Sequence, residues 1–198
     1  MTIENRTYDE KRDLAKNRKT SKKVLRELVK DVNWPIRANV AANLNTPEDI
    51  LRELAKDPES VVKNNVADNI NTPIDVLREL AKNGNVWIQC SVALHSNTPV
   101  DLLQDLAKEE DTLVRGTVAQ NINTPLDLLK VLAQDEDDGV REYVAANTKS
   151  PGNLLVKLFE HEKSLKNPDE DIIRSLYYNT NLPIFAKRVI ENLFERVL

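Results

Sequence analysis

The sequence contains few of the residues that redox, metal and phosphate chemistry require. It has one cysteine, Cys90, two histidines and four glycines among 198 residues. A single thiol cannot form an internal disulfide or a multi-cysteine metal site. None of the four glycines belongs to a glycine-rich phosphate-binding loop. We therefore expect a protein with no bound metal and no other cofactor.

Long apolar segments are also missing. No run of about 18 apolar residues is present, as a membrane-spanning helix would require. The first twenty residues lack the apolar stretch of a secretory signal peptide. Together with the single cysteine, these absences predict a cytoplasmic protein that does not bind membranes.

Charge is unevenly distributed along the chain, whose formal net charge is −4. Residues 1–45 carry 11 Lys and Arg against 6 Asp and Glu, whereas residues 46–150 carry 10 against 19. A basic beginning followed by an acidic body could orient a partner, or the surface charge could simply drift along the chain. The acidic body disfavours nucleic-acid binding there, because counterion release requires many Lys and Arg on one face.

Threonine recurs with a period of 26 residues, and this period predicts the architecture. The recurring residues are Thr20, Thr46, Thr72, Thr98, Thr124 and Ser150. Four of the threonines begin a Thr-Pro-x-Asp tetrapeptide, which is typical of a helix start. Thr suits the N-cap, Pro the first helical position and Asp the first turn. We number the positions of each repeat from this threonine.

The apolar residues after each threonine indicate two helices per repeat. Leucine occupies positions 6 and 9 of all six repeats, which places one apolar stripe on a helix of about ten residues. After a polar break, positions 17, 21 and 22 form a second helical stripe, as in Val62, Val66 and Ala67. Asparagine closes most repeats, where it could adopt the left-handed turn of a helix C-terminus. These residues are Asn43, Asn69, Asn121, Asn147 and Asn179.

Helices this short are marginal alone in water, so each repeat needs neighbours to cover its apolar stripe. We predict a single all-α domain over residues 1–198, an α-solenoid of about six 26-residue two-helix repeats. Residues 1–19 are predicted to be an N-terminal cap, residues 20–181 the repeats and residues 182–198 a C-terminal capping helix. The segment 161–171 lengthens the last repeat by six residues and is predicted to be a charged surface loop.

The repeat resembles a known family. The pattern N-x-N-T-P-x-D-L-L-x-x-L-A-K-D, followed by V-R-x-x-V-A-x-N, is similar to the bacterial variant leucine-rich repeat over residues 20–181. The resemblance implies a right-handed superhelix of the armadillo-like (HEAT-like) class in which α and 3₁₀ helices alternate, so the second helix of each repeat could be 3₁₀. A founding member carries an iron–sulfur cluster on N-terminal cysteines. Residues 1–45 contain no cysteine, so that cofactor does not transfer.

Residues that recur in every repeat are explained by the fold, and residues that break the pattern are candidates for function. Ile74, Val100 and Leu126 occupy position 3 of the central repeats. They could form an exposed apolar ridge or pack beneath the preceding asparagine turn. Trp87 lies in the middle of the array, and tryptophan is frequent at interface hot spots. Trp34 could instead fill a gap near the end of the stack.

The recurring bases are expected to be solvated surface charges that pair with neighbouring acids, although the column at position 18 could also bind an acidic partner. They form one column at position 18 and a second at position 7, where each arginine is followed by a glutamate. The first column is Arg37, Lys63, Arg115 and Arg141, and the second is Arg26, Arg52 and Arg78.

Catalytic motifs are absent from the sequence. Cys90 and His95 lie five residues apart without a third group to orient the base. The acidic runs at 109–111 and 136–138 are expected to be solvated turns. The sequence thus predicts a non-enzymatic protein-binding scaffold, with Ile74, Trp87, Val100 and Leu126 as the partner-binding residues. The alternative is a nucleic-acid-binding module that uses the basic N-terminal segment. The identity of the partner and the oligomeric state stay open.

Overall fold

The computed structural model describes residues 3–196, and in that range it contains helices and no strand. This confirms the predicted all-α fold. The chain divides after Pro99 into two compact units. A single domain over residues 1–198 stays a prediction. A short 3₁₀ helix, Ile3–Asn5, precedes the α-helices, which are α1 Tyr8–Lys16, α2 Lys22–Leu28, α3 Trp34–Ala42, α4 Glu48–Leu54, α5 Ser60–Asp68, α6 Ile74–Asn83, α7 Val86–Leu94, α8 Val100–Leu106, α9 Thr112–Gln120, α10 Leu126–Leu132, α11 Asp138–Ala146, α12 Gly152–Ser164, α13 Glu170–Tyr178 and α14 Ile184–Leu193.

In the first unit, the second helices of successive repeats pack side by side. Helix α1 contacts α3, α3 contacts α5, and α5 contacts α7, while α2, α4 and α6 each pack against the second helices next to them. Leu25, Leu51 and Leu77 at position 6 are completely buried. Each buried leucine stabilises the fold by about 1.5–3 kcal/mol relative to an exposed one. The predicted leucine columns are therefore the core of this unit.

The second unit repeats this arrangement. Helix α9 contacts α11 and α11 contacts α13, with α8, α10 and α12 packed beside them. Leu103, Leu129 and Leu155 at position 6 are buried in the same way. Helix α14 packs against α13 and falls within the segment predicted as a closing helix. The last two residues of that segment, 197 and 198, lie outside the described residues.

The second helices are α-helices, so the 3₁₀ geometry implied by the resemblance is wrong for this chain. Each of α3, α5, α7, α9, α11 and α13 spans nine residues. Their first turn can include a 3₁₀-type bond, as from the Ile36 N–H to the Asn33 carbonyl at 3.0 Å. Beyond it, positions 17 and 21 share a side of the helix only at about 100° per residue. Three residues per turn would rotate position 21 away from the core.

The threonine of each repeat is not the N-cap, as the sequence predicted, because the helix begins two residues later. Pro47 is the N-cap of α4, and its carbonyl accepts the first helical bonds from Ile50 and Leu51 at 3.0 and 3.1 Å. Thr46 is buried, and its hydroxyl donates to the Val40 carbonyl at 2.5 Å. The hydroxyl thus bonds to a buried carbonyl at the end of the preceding helix, whereas the N–H groups of an exposed helix start can bond to water.

The predicted N-terminal cap contains the second half of a further repeat. Ala15 stands at position 22 and is completely buried, as Ala41 is in the next repeat. The Thr20 hydroxyl donates to the Leu14 carbonyl at 2.6 Å, which matches the bond in later repeats. Helix α1 therefore has the buried alanine, the threonine bond and the contact with the next second helix that the second helices of later repeats have.

The sixth repeat differs at position 22, where Tyr177 replaces the alanine of the earlier repeats. Alanine at this position is completely buried in all of them, at Ala41, Ala67, Ala93, Ala119 and Ala145. The Tyr177 hydroxyl donates to the Glu191 carboxylate of α14 at 2.9 Å. Tyr177 therefore joins α13 to α14 at the position that alanine occupies in the earlier repeats.

Candidate functional site

Asparagine at position 24 is a buried bridge between repeats and not a left-handed cap. Asn69 has an extended backbone, with φ of −76° and ψ of 117°, and no residue in the described range has positive φ. Its amide nitrogen donates to the carbonyls of Ala41 and Asn43 in the preceding repeat, at 2.7 and 3.1 Å. Its amide oxygen accepts from the Asn71 N–H at 3.0 Å. The left-handed prediction is wrong because the side chain satisfies these groups with ordinary backbone geometry.

His95 keeps this bridge with an imidazole. Its Nδ1 lies 3.1 Å from the Asn97 backbone nitrogen, and its Nε2 lies 3.0 Å from the Asn69 carbonyl oxygen. An N–H can only donate, so Nδ1 accepts and Nε2 carries the proton, which defines the neutral Nε2–H tautomer. With both ring nitrogens bonded to backbone groups, His95 is not positioned to act as a base toward Cys90.

The base at position 18 is a clamp between repeats. Arg37 donates from Nε and Nη2 to both carboxylate oxygens of Asp57, at 2.6 and 3.0 Å. Its Nη1 donates to the carbonyls of Asp31 and Val32 in its own inter-helix turn. The prediction of a solvated surface charge is wrong here, because the side chains of Arg37 and Asp57 are only 15% and 5% exposed. Arg115 binds Asp135 in the same bidentate manner.

The sixth repeat supplies its clamp acid from the segment that was predicted to be a loop. Arg141 donates from Nε to Oε1 of Glu162 at 2.8 Å, and Glu162 is completely buried. The Oε2 atom of Glu162 has no hydrogen-bond partner among the described residues. Helix α12 runs on to Ser164, so the loop prediction for 161–171 is wrong over residues 161–164 and again from Glu170, where α13 begins. Because α12 continues to Ser164, Glu162 lies on this helix within hydrogen-bond distance of Arg141.

We expect acid to weaken the fold through these clamps. Hydrogen bonds from Arg115 hold the pKa of Asp135 below its ordinary value, against the effect of burial. For Asp57, burial is the largest influence and raises the pKa, but bonds from Arg37 and a backbone N–H outweigh it and leave the pKa lowered. Such carboxylates stabilise the fold above their unfolded pKa of about 4, and this stability is lost as the pH falls through the folded value.

Urea titrations between neutral pH and about pH 2.5 should therefore show the free energy of unfolding falling below about pH 4. Asp135→Asn should be less stable at neutral pH by about 1–3 kcal/mol, with a smaller fall in acid. Asp105→Asn, at an exposed position, should keep the original profile. An Asp135→Asn variant whose acid profile matches that of the parent would contradict the clamp.

The arginines of the first helices pair across repeats. Arg26 binds Asp49 and Arg52 binds Asp75, each 23 residues further along the chain. These pairs confirm the predicted solvated face with paired charges, although the partners are not the glutamates that follow the arginines. The aspartate of the Thr-Pro-x-Asp tetrapeptide is their partner, because it lies beside them in the next repeat. These pairs are exposed and stabilise the fold little.

The third repeat, residues 72–97, departs from the repeat pattern at several points. Gln89 replaces the base at position 18, and His95 replaces the asparagine at position 24. Helix α6 has ten residues, compared with seven in α2 and α4. Among the helices of residues 3–196, α7 is the only one without a charged residue. These departures collect in one repeat, which makes it the candidate site.

Helix α7 exposes an apolar stripe. Trp87 is 69% exposed and Leu94 is 49% exposed, and seven residues place them two turns apart on the same side. Helix α5, which packs against α7, exposes Val61 at position 16, the position of Trp87. Ile70, in the turn after α5, is exposed as well. We call Val61, Ile70, Trp87 and Leu94 the α5–α7 face.

A shallow groove of about 330 Å³ lies where α5 and α7 end. Ile70 and Leu94 are its large apolar side chains, and Asp68 is its one carboxylate. The Asp68 carboxylate accepts a bond from the Asn64 amide at 3.1 Å. The groove therefore offers an apolar contact beside a single negative charge.

All four residues that the sequence predicted to bind a partner are exposed. Ile74, Trp87, Val100 and Leu126 have exposures between 42% and 69%. In the first unit, Ile74 begins α6 and Trp87 is the second residue of α7. Because α6 rises about 15 Å, the two side chains lie at opposite ends of this helix pair. In the second unit, Val100 and Leu126 begin the first helices of consecutive repeats. That all four form one site stays a prediction.

The partner-binding residues predicted from the sequence did not include Leu94, Val61 and Ile70. Leu94 and Val61 lie on helices where similar residues at other positions form the core, so hydropathy alone does not separate them. The absence of charge from α7 was the available signal, because every other second helix carries at least one charged residue.

No group of three or more His, Cys, Asp or Glu side chains in residues 3–196 is arranged to hold a metal ion. No helix in this range has both the length and the apolar character of a membrane span.

No protein-family model matches the chain, and no curated protein sequence matches it. A solved structure described as "a leucine-rich repeat variant with a novel repetitive protein structural motif" is similar to it, with a TM-score of 0.67 and 22% sequence identity. The likeness covers 98% of this chain and 75% of that chain. At this identity the likeness establishes the fold alone. The chain has the fold of a leucine-rich repeat variant.

Proposed function

We propose that the protein is a non-enzymatic scaffold that binds a protein partner through the α5–α7 face. The observation that carries this proposal is the charge-free helix α7 with its exposed Trp87, in a chain of which 30% of the residues are charged. Contiguous exposed apolar surface commonly marks a partner site. Tryptophan at the centre of such a surface is a frequent hot spot.

The α5–α7 face is held in place by packing and by a hydrogen bond to the preceding repeat. Helix α7 packs on α5 and α6, and His95 bonds its carboxyl end to the preceding repeat. A surface that is ordered before binding loses less conformational entropy on association. We expect the partner to contribute an apolar side chain to the groove and a basic side chain to Asp68.

Nucleic acid is the less favoured partner. Several bases of the N-terminal segment are engaged by acids of the same unit: Lys11 by Asp31, Arg12 by Asp9 and Asp13, Arg26 by Asp49, and Arg37 by Asp57. Each such pair lowers the positive potential available to phosphates. The cytoplasmic setting and the absence of catalysis are part of the proposal and agree with the single cysteine and the bonded His95.

The experiment compares Trp87→Ala with the parent in affinity capture from the source cytoplasm. The proteins that the parent captures are then purified and titrated against both chains by calorimetry. Trp87→Ala should weaken the interaction by at least about 2 kcal/mol, as truncation of a hot-spot residue does. Because Trp87 is exposed, the thermal unfolding midpoint should change little.

The matched control is Trp34→Ala, since Trp34 is also an exposed tryptophan at the start of a second helix. It should bind the partner as the parent does. Equal capture by Trp87→Ala and the parent would rule out the α5–α7 face as the site. If calorimetry detects no direct binding between the purified proteins, the scaffold function itself is wrong.

A further inference from the structure

A second surface of interest is a pocket of about 400 Å³ between α10 and α12 in the second unit. Six of its lining residues matter here: Lys130, Ala133, Leu154, Lys157, Leu158 and His161. Ala133, Leu154 and Leu158 are buried and form an apolar floor, whereas the two lysines and His161 are exposed at the rim. The volume lies within the range of small-molecule sites, which combine apolar surface with a few polar groups.

The repeat pattern does not account for these bases. Position 8 is acidic in the first four repeats but is Lys157 in the sixth. Position 12 is acidic in four of the first five repeats but is His161 in the sixth. The earlier residues are Glu27, Glu53, Glu79 and Asp105 at position 8, and Asp31, Asp57, Glu109 and Asp135 at position 12. Lys157 and His161 lie one turn apart on α12, so a lysine and an imidazole stand side by side where other repeats carry acids.

The exchange at position 12 is compensated within the same helix. Asp57 and Asp135 at this position accept the arginine clamps. In the sixth repeat, Glu162 accepts the clamp from Arg141, one residue later in the lengthened α12. Glu162 therefore accepts the arginine bond that the acid at position 12 accepts in other repeats. Within the described part of the chain, His161 makes no such bond and lines the pocket.

Lys157 is the uncompensated charge of this rim. Asp127 pairs with Lys130 at 2.8 Å and offsets its charge, whereas Glu160 pairs with Lys163 outside the pocket at 2.7 Å. Lys157 forms no salt bridge within residues 3–196. The pocket thus combines an apolar floor with a positive rim.

We propose that this pocket binds a small carboxylate carried on an aliphatic chain, separately from the protein partner. The carboxylate meets Lys157 and His161, with Lys130 across the pocket, and the chain covers Leu154, Leu158 and Ala133. An inorganic anion would make no apolar contact with this floor, and an aliphatic cation would be repelled by the rim.

The test titrates octanoate into the isotope-labelled full chain and follows backbone amide resonances. Saturable shifts are expected at residues 130–134 and 154–161, with a Kd of about 1 mM. Octylammonium should cause no such shifts, and inorganic phosphate should bind about tenfold more weakly than octanoate.

Lys157→Glu restores the acid of the other repeats at position 8 and should weaken octanoate binding about tenfold. Lys166→Glu makes the same change of charge at an exposed residue outside the pocket and should leave binding unchanged. Lys157→Gln, with an expected loss of about threefold, serves if Lys157→Glu does not fold. Any one of three results would overturn the proposal: no saturable shifts at these residues, equal binding by Lys157→Glu, or phosphate or octylammonium binding as tightly as octanoate.

Discussion

Asn69→Ala is expected to lower the free energy of unfolding by about 3–5 kcal/mol. The substitution leaves the carbonyls of Ala41 and Asn43 and the N–H of Asn71 without the partners that they have in the folded chain. A buried polar group that loses its partner costs about 1–3 kcal/mol, and three such groups in contact do not add fully. Urea denaturation followed by far-ultraviolet circular dichroism measures the effect.

Two matched variants separate the buried bridge from the loss of any asparagine. Asn71→Ala removes one exposed bond, to the Leu44 carbonyl, and should cost no more than about 1 kcal/mol. Asn69→His should be less harmful than Asn69→Ala, because His95 performs the same role in the next repeat. If Asn69→Ala is as stable as Asn71→Ala, the bridge contributes little and the interpretation is wrong.

Arg141→Met should destabilise the protein by about 3–5 kcal/mol through Glu162. Arg141 is 8% exposed and Glu162 is completely buried, so removal of the guanidinium leaves a buried carboxylate without its counterion. Breaking a buried pair costs this much because the remaining charge stays desolvated. The carbonyls of Asp135 and Glu136 lose their donor as well.

The double variant Arg141→Met, Glu162→Leu tests this cause. Replacing both members of a buried ion pair with apolar residues is often neutral or stabilising, so the double variant should recover most of the lost stability. Arg12→Met, which breaks exposed pairs with Asp9 and Asp13, should change stability little. A double variant as unstable as Arg141→Met would show that the buried charge is not the cause.

The helices and their core could be predicted from the sequence because both follow from periodic burial. Leucines at positions 6 and 9 must face a neighbour to be stable in short helices, and the 26-residue period requires that this neighbour be the adjacent repeat. The same periodicity could have predicted α1 as the second helix of a further repeat, because Ala15 and Asn17 occupy positions 22 and 24.

The polar columns could not be assigned from the sequence, because their partners lie one repeat away. Thr46 and Asn69 suit helix ends by intrinsic preference, and tertiary hydrogen bonds override that preference in the folded chain. Glu162 was hidden for another reason: His161 occupies the position of Asp57 and Asp135, and Glu162 follows it by one residue in the lengthened α12. Of the candidate site, Trp87 was identifiable by its residue type, whereas the exposure of Leu94 depends on which side of α7 meets α5.

The reach of the asparagine bridge has a consequence for how the chain folds. Asn69 bonds to residues 26 and 28 positions earlier, and Asn179, beyond the insertion, to residues 32 and 34 positions earlier. Contacts of such short sequence separation lower the contact order, which favours rapid folding. A repeat that has formed offers the next one its acceptor carbonyls and its apolar stripe. Folding within each unit can therefore nucleate at any stable pair of repeats and grow by one repeat at a time, as in other linear arrays.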